Sequence, residues 1–187
     1  LKTIERSGAS AVIMEDKKGL KKNSLFGNSV KQEQENIKEF SKKLLASKKA
    51  TTNKLMIIAR IESLILGKPL GDAVSRAERY VDSGADGIMI HSKDKSPKEI
   101  LRFAEKFKKK FNDIPLVSVP SSYNNVKDKQ LENAGFNIVI YANHMLRASY
   151  PAMKRVATEI LKNGRTFESE KSIMSIKKIL SLIPGTK

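Results

Sequence analysis

The chain has 187 residues, of which 40% are hydrophobic and 30% charged, a composition that suits one globular domain of ordinary core size. No apolar run approaches the roughly 18 residues of a membrane span, and the absence of cysteine excludes disulfides and thiolate zinc sites, which fits a cytoplasmic protein. The net charge of +16 comes largely from lysines spread over the helical segments. Because these lysines are dispersed, and the sequence has neither zinc-finger spacing nor an arginine-rich stripe interleaved with aromatic residues, nucleic-acid binding is disfavoured.

Five short apolar runs, typical of buried parallel strands, alternate with longer amphipathic segments. The strands are predicted at residues 11–14, 55–59, 87–90, 116–119 and 138–141. Helices are predicted at residues 30–47, 70–83, 97–111, 126–133 and 143–163, with a last helix at 170–182. This alternation predicts an α/β fold with a parallel sheet.

Two architectures fit five such units. One is a self-contained, doubly wound sheet of the flavodoxin type. The other is the C-terminal five βα units of a (β/α)₈ TIM-type barrel, with three units, on the order of 90–100 residues, expected before Leu1. The first residues lack an initiator methionine and a signal-peptide core, which favours the second architecture. Residues 1–163 would then form the partial barrel, and residues 164–187 a linker and a helix packing on the barrel or on a neighbouring subunit.

Polar residues follow the predicted strands at their carboxyl ends, where α/β enzymes bind ligands. They are Glu15, Asp16 and Lys17 after the first strand, Arg60 and Glu62 after the second, His91 after the third, Ser121 after the fourth and Asn143 after the fifth. Carboxylates suit a hard cation such as Mg²⁺, and an arginine, an imidazole and a lysine suit a phosphorylated or carboxylated small molecule. Each residue alone also has a structural explanation, such as an ion pair of Arg60 with Glu15 or Glu62, or a helix N-cap at Asn143.

The segment Glu15-Asp16-Lys17-x-x-x-Lys21-x-Asn23-Ser24-Leu25 resembles the EDKxxxKxNSL gating-loop signature of the phosphoenolpyruvate mutases, in the isocitrate lyase superfamily. Further matches follow in the same order along the chain. They are IARIE at residues 58–62, GADGIMIHS at 84–92, VPS at 119–121 and VIYANHMLRAS at 139–149. The resemblance therefore covers nearly the whole chain.

The resemblance implies a Mg²⁺-dependent isomerase that interconverts phosphoenolpyruvate and phosphonopyruvate, the entry step to phosphonate biosynthesis. Glu15 would belong to the metal site, and Arg60 and His91 would hold the phosphoryl oxygens, with Ser121 joining them in substrate binding. The terminal helices of this superfamily commonly pack on a neighbouring subunit, so a homo-oligomer is expected. Lys21, Asn23, Ser24 and Leu25 would lie on a mobile loop that closes over the substrate; of these, Lys21 and Asn23 would act in catalysis.

Some features depart from this family or leave alternatives open. The family's other metal-binding carboxylates and its catalytic aspartate belong to earlier strands, and Gly19-Leu20 stands where Phe-Pro is common. Phosphonopyruvate hydrolases tend to carry threonine at the position of Asn23, so Asn23 favours a mutase. The carbon–carbon lyases usually carry a loop cysteine, and this chain has none. Outside enzymes, the alternative is a non-catalytic basic α/β binding module.

Overall fold

The computed structural model describes residues 1–19, 32–52, 54–183 and 185. Its elements in chain order are α1 (Lys2–Arg6), β1 (Ala11–Glu15), β2 (Lys17–Lys18), β3 (Glu33–Gln34), α2 (Ile37–Ala50), β4 (Met56–Ile61), α3 (Leu70–Asp82), β5 (Gly87–Ile90), α4 (Lys98–Lys108), β6 (Leu116–Ser118), α5 (Asp128–Asn133), β7 (Ile138–Val139), α6 (His144–Asn163), a 3₁₀ helix (Phe167–Ser172) and α7 (Ile176–Ser181).

The central sheet has five parallel strands in the order β1-β4-β5-β6-β7. Each strand therefore lies beside the next strand of the sheet along the chain, and the order never reverses. A flavodoxin-like sheet requires such a reversal, because its ligand binds where the strand order switches. The sheet order excludes that architecture and confirms five consecutive βα units of a TIM-type barrel.

Helices α2, α3 and α4 cover one face of this sheet and form the core with it. Residues Ile57, Ala59 and Ile61 of β4 belong to the core cluster, together with Phe40 of α2 and Phe103 of α4. Because successive side chains of a strand point to opposite faces, the residues between them on β4 point to the other face. Arg60 is one of these, so the strand presents its arginine on the face that lines the interior of a barrel.

Two predicted helices differ from the structure. α2 begins at Ile37 rather than residue 30, because the side chain of Asn36 accepts a hydrogen bond from Lys38 N and β3 precedes it. The last helix, predicted at 170–182, is instead the 3₁₀ helix and α7. The extended backbone of Ile173 interrupts it, and Ser175 then caps α7.

Contacts divide the chain into two units, Leu1–Tyr141 and Ala142–Lys187. The division thus falls before α6, whereas the sequence analysis placed a boundary after residue 163. In the second unit, α6 contacts the 3₁₀ helix, and Ser169 is buried there. Among the described residues, no helix combines the length and apolar character needed to cross a bilayer.

Candidate active site

The register of β1 and β4 places Glu15 directly opposite Arg60 at the carboxyl edge of the sheet. Arg60 Nη1 lies 3.1 Å from Glu15 Oε1, and Arg60 Nε donates a 2.7 Å hydrogen bond to Glu62 Oε1. The side chains of Glu15 and Arg60 are only 13% and 15% exposed, and that of Glu62 is fully buried. The expected ion pairs of Arg60 are therefore both present, and two carboxylates orient one guanidinium.

Lys17 joins this group from β2. Its side chain is 5% exposed, and Lys17 Nζ lies 3.5 Å from Glu62 Oε2. Glu62 therefore lies between two cations, which compensates for burying its charge. Lys17 was predicted at the end of the first strand, but its contact with Glu62 was not.

Asp16 does not share the site with Glu15, although the two are neighbours in the chain. Asp16 is wholly buried, and its Oδ1 accepts a hydrogen bond from Glu62 N at 2.9 Å. Its Oδ2 accepts from Gln34 Nε2 and Tyr80 Oη at 2.8 Å each and from Arg76 Nη1 at 3.1 Å. Burial raises the pKa of Asp16 to about 6, opposed by these hydrogen bonds and by the Arg76 charge.

Two of the residues that hold Asp16, Arg76 and Tyr80, come from α3 and were not predicted from the sequence. Asp72, Arg76 and Tyr80 lie four residues apart on α3, and Arg76 Nε donates to Asp72 Oδ2 at 3.0 Å. Burial, and then the Asp16 carboxylate, raises the pKa of Tyr80, so its hydroxyl remains a donor. The available signal was an arginine between Ala73 and Ala77, on the stripe of α3 that faces the core.

His91 follows β5 and is 4% exposed. Burial, and then the charge of Arg60, lowers the pKa of His91 to about 4, with Glu62 and a hydrogen bond to the Val119 backbone acting in the opposite direction. The imidazole is therefore neutral near pH 7. Its Nδ1 is buried and has no hydrogen-bond partner among the described residues, which leaves a polar atom for a ligand.

The fourth and fifth strands contribute less to this group. Ser121 is half-buried, and its N donates to Val119 O at 2.8 Å, which places it close to the backbone that contacts His91. The Tyr141 hydroxyl donates to Asp128 at an exposed position. Asn143 occupies the predicted N-cap position of α6, but with φ 49° and without a side-chain capping bond.

Four of the predicted site residues, Lys21, Asn23, Ser24 and Leu25, lie outside the described residues. The chain on either side of them is placed, however. β2 and β3 pair antiparallel, with Lys17 opposite Gln34. Lys17 contacts Glu62 and Gln34 contacts Asp16, so the chain leaves and returns beside the Arg60 group.

The fit of a Mg²⁺ ion rests on Glu15. In the described ranges, no three histidine, aspartate or glutamate side chains form a group that could hold a metal. Mg²⁺ usually takes one or two protein carboxylates and keeps several waters. Glu15 offers the hard oxygen donor this chemistry requires, at the edge where Arg60 is held, so it fits as one member of a ligand set.

A parallel barrel-type sheet with a largely buried arginine, a neutral imidazole and a carboxylate at its carboxyl edge places this chain among the α/β-barrel proteins. The chain belongs to the phosphoenolpyruvate phosphomutase family, whose model matches residues 1–161. This confirms the resemblance found in the sequence.

Relatives with two different activities match this chain. It is 38% identical to a phosphonopyruvate hydrolase of Variovorax sp. (strain Pal2), over 95% of this chain and 61% of the relative. It is 34% identical to a phosphoenolpyruvate phosphomutase of Tetrahymena pyriformis, over 97% of this chain and 60% of the relative. The chain thus spans about three fifths of the length of these relatives.

Solved structures agree with the fold. A phosphoenolpyruvate phosphomutase from Streptomyces platensis subsp. rosaceus superposes with a TM-score of 0.87 at 37% identity, over 97% of this chain and 62% of that one. A phosphonopyruvate hydrolase in complex with oxalate and Mg²⁺ gives 0.79 at 36% identity, over 95% and 60%. A 2,3-dimethylmalate lyase of the same superfamily shares the fold at 17% identity, with a TM-score of 0.75 and coverage of 97% and 58%.

Proposed function

We propose that the whole protein is a Mg²⁺-dependent phosphoenolpyruvate mutase, which interconverts phosphoenolpyruvate and phosphonopyruvate. The observation that carries the proposal is the largely buried guanidinium of Arg60, oriented by Glu15 and Glu62 near the neutral His91. A preorganised arginine in a site of low dielectric is suited to a phosphoryl group. Family membership supports the same class of substrate.

Phosphoryl transfer passes through a loose transition state with charge on the outer oxygens. Its catalysis therefore depends on positioning and charge stabilisation more than on covalent bonds to the enzyme. Arg60 would bind these oxygens through charge-assisted hydrogen bonds, and Ser121 would add a hydroxyl. A bound phosphoryl dianion would raise the pKa of His91 and favour the imidazolium, which donates from both nitrogens.

The segment after Lys17 would complete the site. Lys21 and Asn23 would add donors to the transferring group, and Ser24 and Leu25 would cover the substrate and exclude water. Glu15 would hold Mg²⁺ as one of its ligands, directly or through water. When bound, the ion would stabilise the negative charge on the substrate oxygens as a Lewis acid.

The direct test is ³¹P NMR of phosphonopyruvate incubated with the whole protein and Mg²⁺. The proposal predicts that a phosphoenolpyruvate signal grows, and that a chelator stops it. Release of phosphate and pyruvate alone would show that the protein is a hydrolase.

Hydrolysis of phosphonopyruvate is the second candidate, favoured by the 38% identity to a hydrolase. Asn23 distinguishes the two candidates, because the hydrolases tend to carry threonine there. We expect Asn23→Ala to lower turnover by about 10²-fold, as for the loss of one preorganised donor. Asn23→Thr should shift the products in the same assay from phosphoenolpyruvate towards phosphate. The exposed Asn133→Thr is the matched control and should leave the product ratio unchanged.

A further inference from the structure

The buried polar network around Asp16 has no part in the proposed chemistry, yet it is bonded to the residues that carry it. Asp16 N donates to Arg60 O at 3.0 Å, and Asp16 Oδ1 accepts from Glu62 N at 2.9 Å. One residue therefore holds the backbone on both sides of Ile61. The side chains of the two residues so held, Arg60 and Glu62, are bonded to each other at 2.7 Å.

The other carboxylate oxygen of Asp16 connects this backbone to α3. Tyr80 Oη and Arg76 Nη1 both donate to Asp16 Oδ2, and Arg76 Nη1 also donates to Tyr80 Oη at 2.8 Å. Gln34 Nε2 donates both to Asp16 Oδ2 at 2.8 Å and to Ser63 Oγ at 3.0 Å. A buried network with this many donors on one carboxylate rigidifies what it touches.

We propose that Asp16 is a positioning residue for Arg60: held by Tyr80, Arg76 and Gln34, it fixes the backbone of Arg60 and Glu62, so that the Glu62 carboxylate aims the guanidinium. The inference rests on the proposed function in that Arg60 is taken to bind the phosphoryl group. A guanidinium displaced by about 1 Å accelerates a reaction that depends on orientation much less.

A second carboxylate bonded to the backbone of β4 provides a control. Asp86 Oδ2 accepts from Ile57 N at 2.8 Å, near the amino end of β4, and Asp86 also pairs with Lys48 at 2.8 Å. Each aspartate thus accepts from a backbone N–H, that of Ile57 in β4 or that of Glu62 directly after it, and pairs with a cation from a covering helix. Of the two, only Asp16 is bonded at the end that carries Arg60, so only its substitution should move the Arg60 side chain.

The substitution Asp16→Asn should retain the hydrogen bonds made by Oδ2 and remove the one that Oδ1 accepts from Glu62 N. Three donors converge on Oδ2, so the amide oxygen should remain there, and its NH₂ group would then face Glu62 N–H. Two donors cannot form a hydrogen bond with each other, so the hydrogen bond between Glu62 N and the side chain of residue 16 is lost. Tyr80→Phe is the milder variant, because it removes one donor and retains the ring that packs on Phe40.

The test is the Nε–H signal of Arg60 in ¹H–¹⁵N spectra of the whole protein, assigned by its loss in Arg60→Lys. We expect hydrogen exchange of this N–H to speed up by about tenfold or more in Asp16→Asn and by a smaller factor in Tyr80→Phe. It should remain unchanged in Asp86→Asn. If Asp16→Asn fails to fold, Tyr80→Phe decides: an unchanged Arg60 signal there, or in a folded Asp16→Asn, would overturn the proposal.

Kinetics by ³¹P NMR separate this proposal from the function on which it rests. Asp16→Asn should lower kcat by about 10-fold or more, and Asp86→Asn should leave it unchanged. If the wild-type protein acts on neither phosphonopyruvate nor phosphoenolpyruvate, but Asp16→Asn and Tyr80→Phe still speed up exchange of the Arg60 Nε–H, the proposed function is refuted and the positioning role is kept. Activity with an Arg60 signal unaffected by Asp16→Asn and Tyr80→Phe would refute the positioning role and keep the function.

Discussion

Glu15 and Asp16 are neighbours in the chain with opposite environments. Glu15 points to the face that carries Arg60, whereas Asp16 turns away and is bound by α3 and β3. The alternation of side chains along an extended chain accounts for this. Applied to these two residues, the alternation suffices to separate the pair from the sequence alone. The same alternation puts Arg60 and Glu62, two residues apart, on one face, where their side chains are bonded.

The neutral state of His91 predicts how stability depends on pH. Its folded pKa of about 4 lies below the ordinary 6.5, so on acidification the unfolded chain takes up the proton first. His91 therefore contributes stability above pH 6.5 that is lost as the pH falls towards 4, by up to ~3 kcal/mol. Urea unfolding of the whole protein and of His91→Asn from pH 7 to 4.5 measures this difference. A difference that stays constant over this range would contradict the buried, neutral imidazole.

At the scale of elements, the five sheet strands were predictable because each is a continuous apolar run. β2 and β3 were not, since two polar residues such as Lys17 and Lys18 show no hydrophobic period. The last helix was predicted too long for a related reason. The spacing of Ile173, Ile176 and Ile179 fits one helical stripe, but Ser175 offers a helix start that period alone does not reveal.

The packing of β5 against its neighbours predicts the effect of a single methyl group. A Cβ at Gly87 would lie 3.2 Å from Pro115 O and 3.4 Å from Ile58 Cγ1. We expect Gly87→Ala to lower the free energy of unfolding by about 1–3 kcal/mol, as for overpacked cores. Gly71→Ala on α3 is the control. Its Cβ meets nothing within 4 Å, so alanine should stabilise the helix by up to ~1 kcal/mol. Urea unfolding of both variants checks the pair, and equal effects would contradict the packing described.

At the scale of the whole molecule, exposed apolar side chains concentrate in the second unit. On α7 they are Ile176, Ile179 and Leu180. Apolar surface of this kind marks an interface more often than a free surface. We propose that the protein is a homo-oligomer in which this helix is covered by a neighbouring subunit.

Light scattering of the whole protein tests the oligomer. The double variant Ile176→Lys/Ile179→Lys should lower the molecular mass to that of a smaller species, because buried lysines are not tolerated at an apolar interface. Glu170→Lys changes a nearby exposed charge and should leave the mass unchanged. A wild-type monomer would refute the proposal.

If the phosphoryl compound reacts at the Arg60 group, the substitution Arg60→Lys in the whole protein should lower kcat/KM. Lysine keeps the positive charge but lacks the planar guanidinium that Glu15 and Glu62 orient. We expect kcat/KM with phosphonopyruvate to fall by about 10²- to 10³-fold and to be unchanged in the exposed Arg102→Lys on α4. An Arg60→Lys protein within about threefold of the wild type would contradict this expectation.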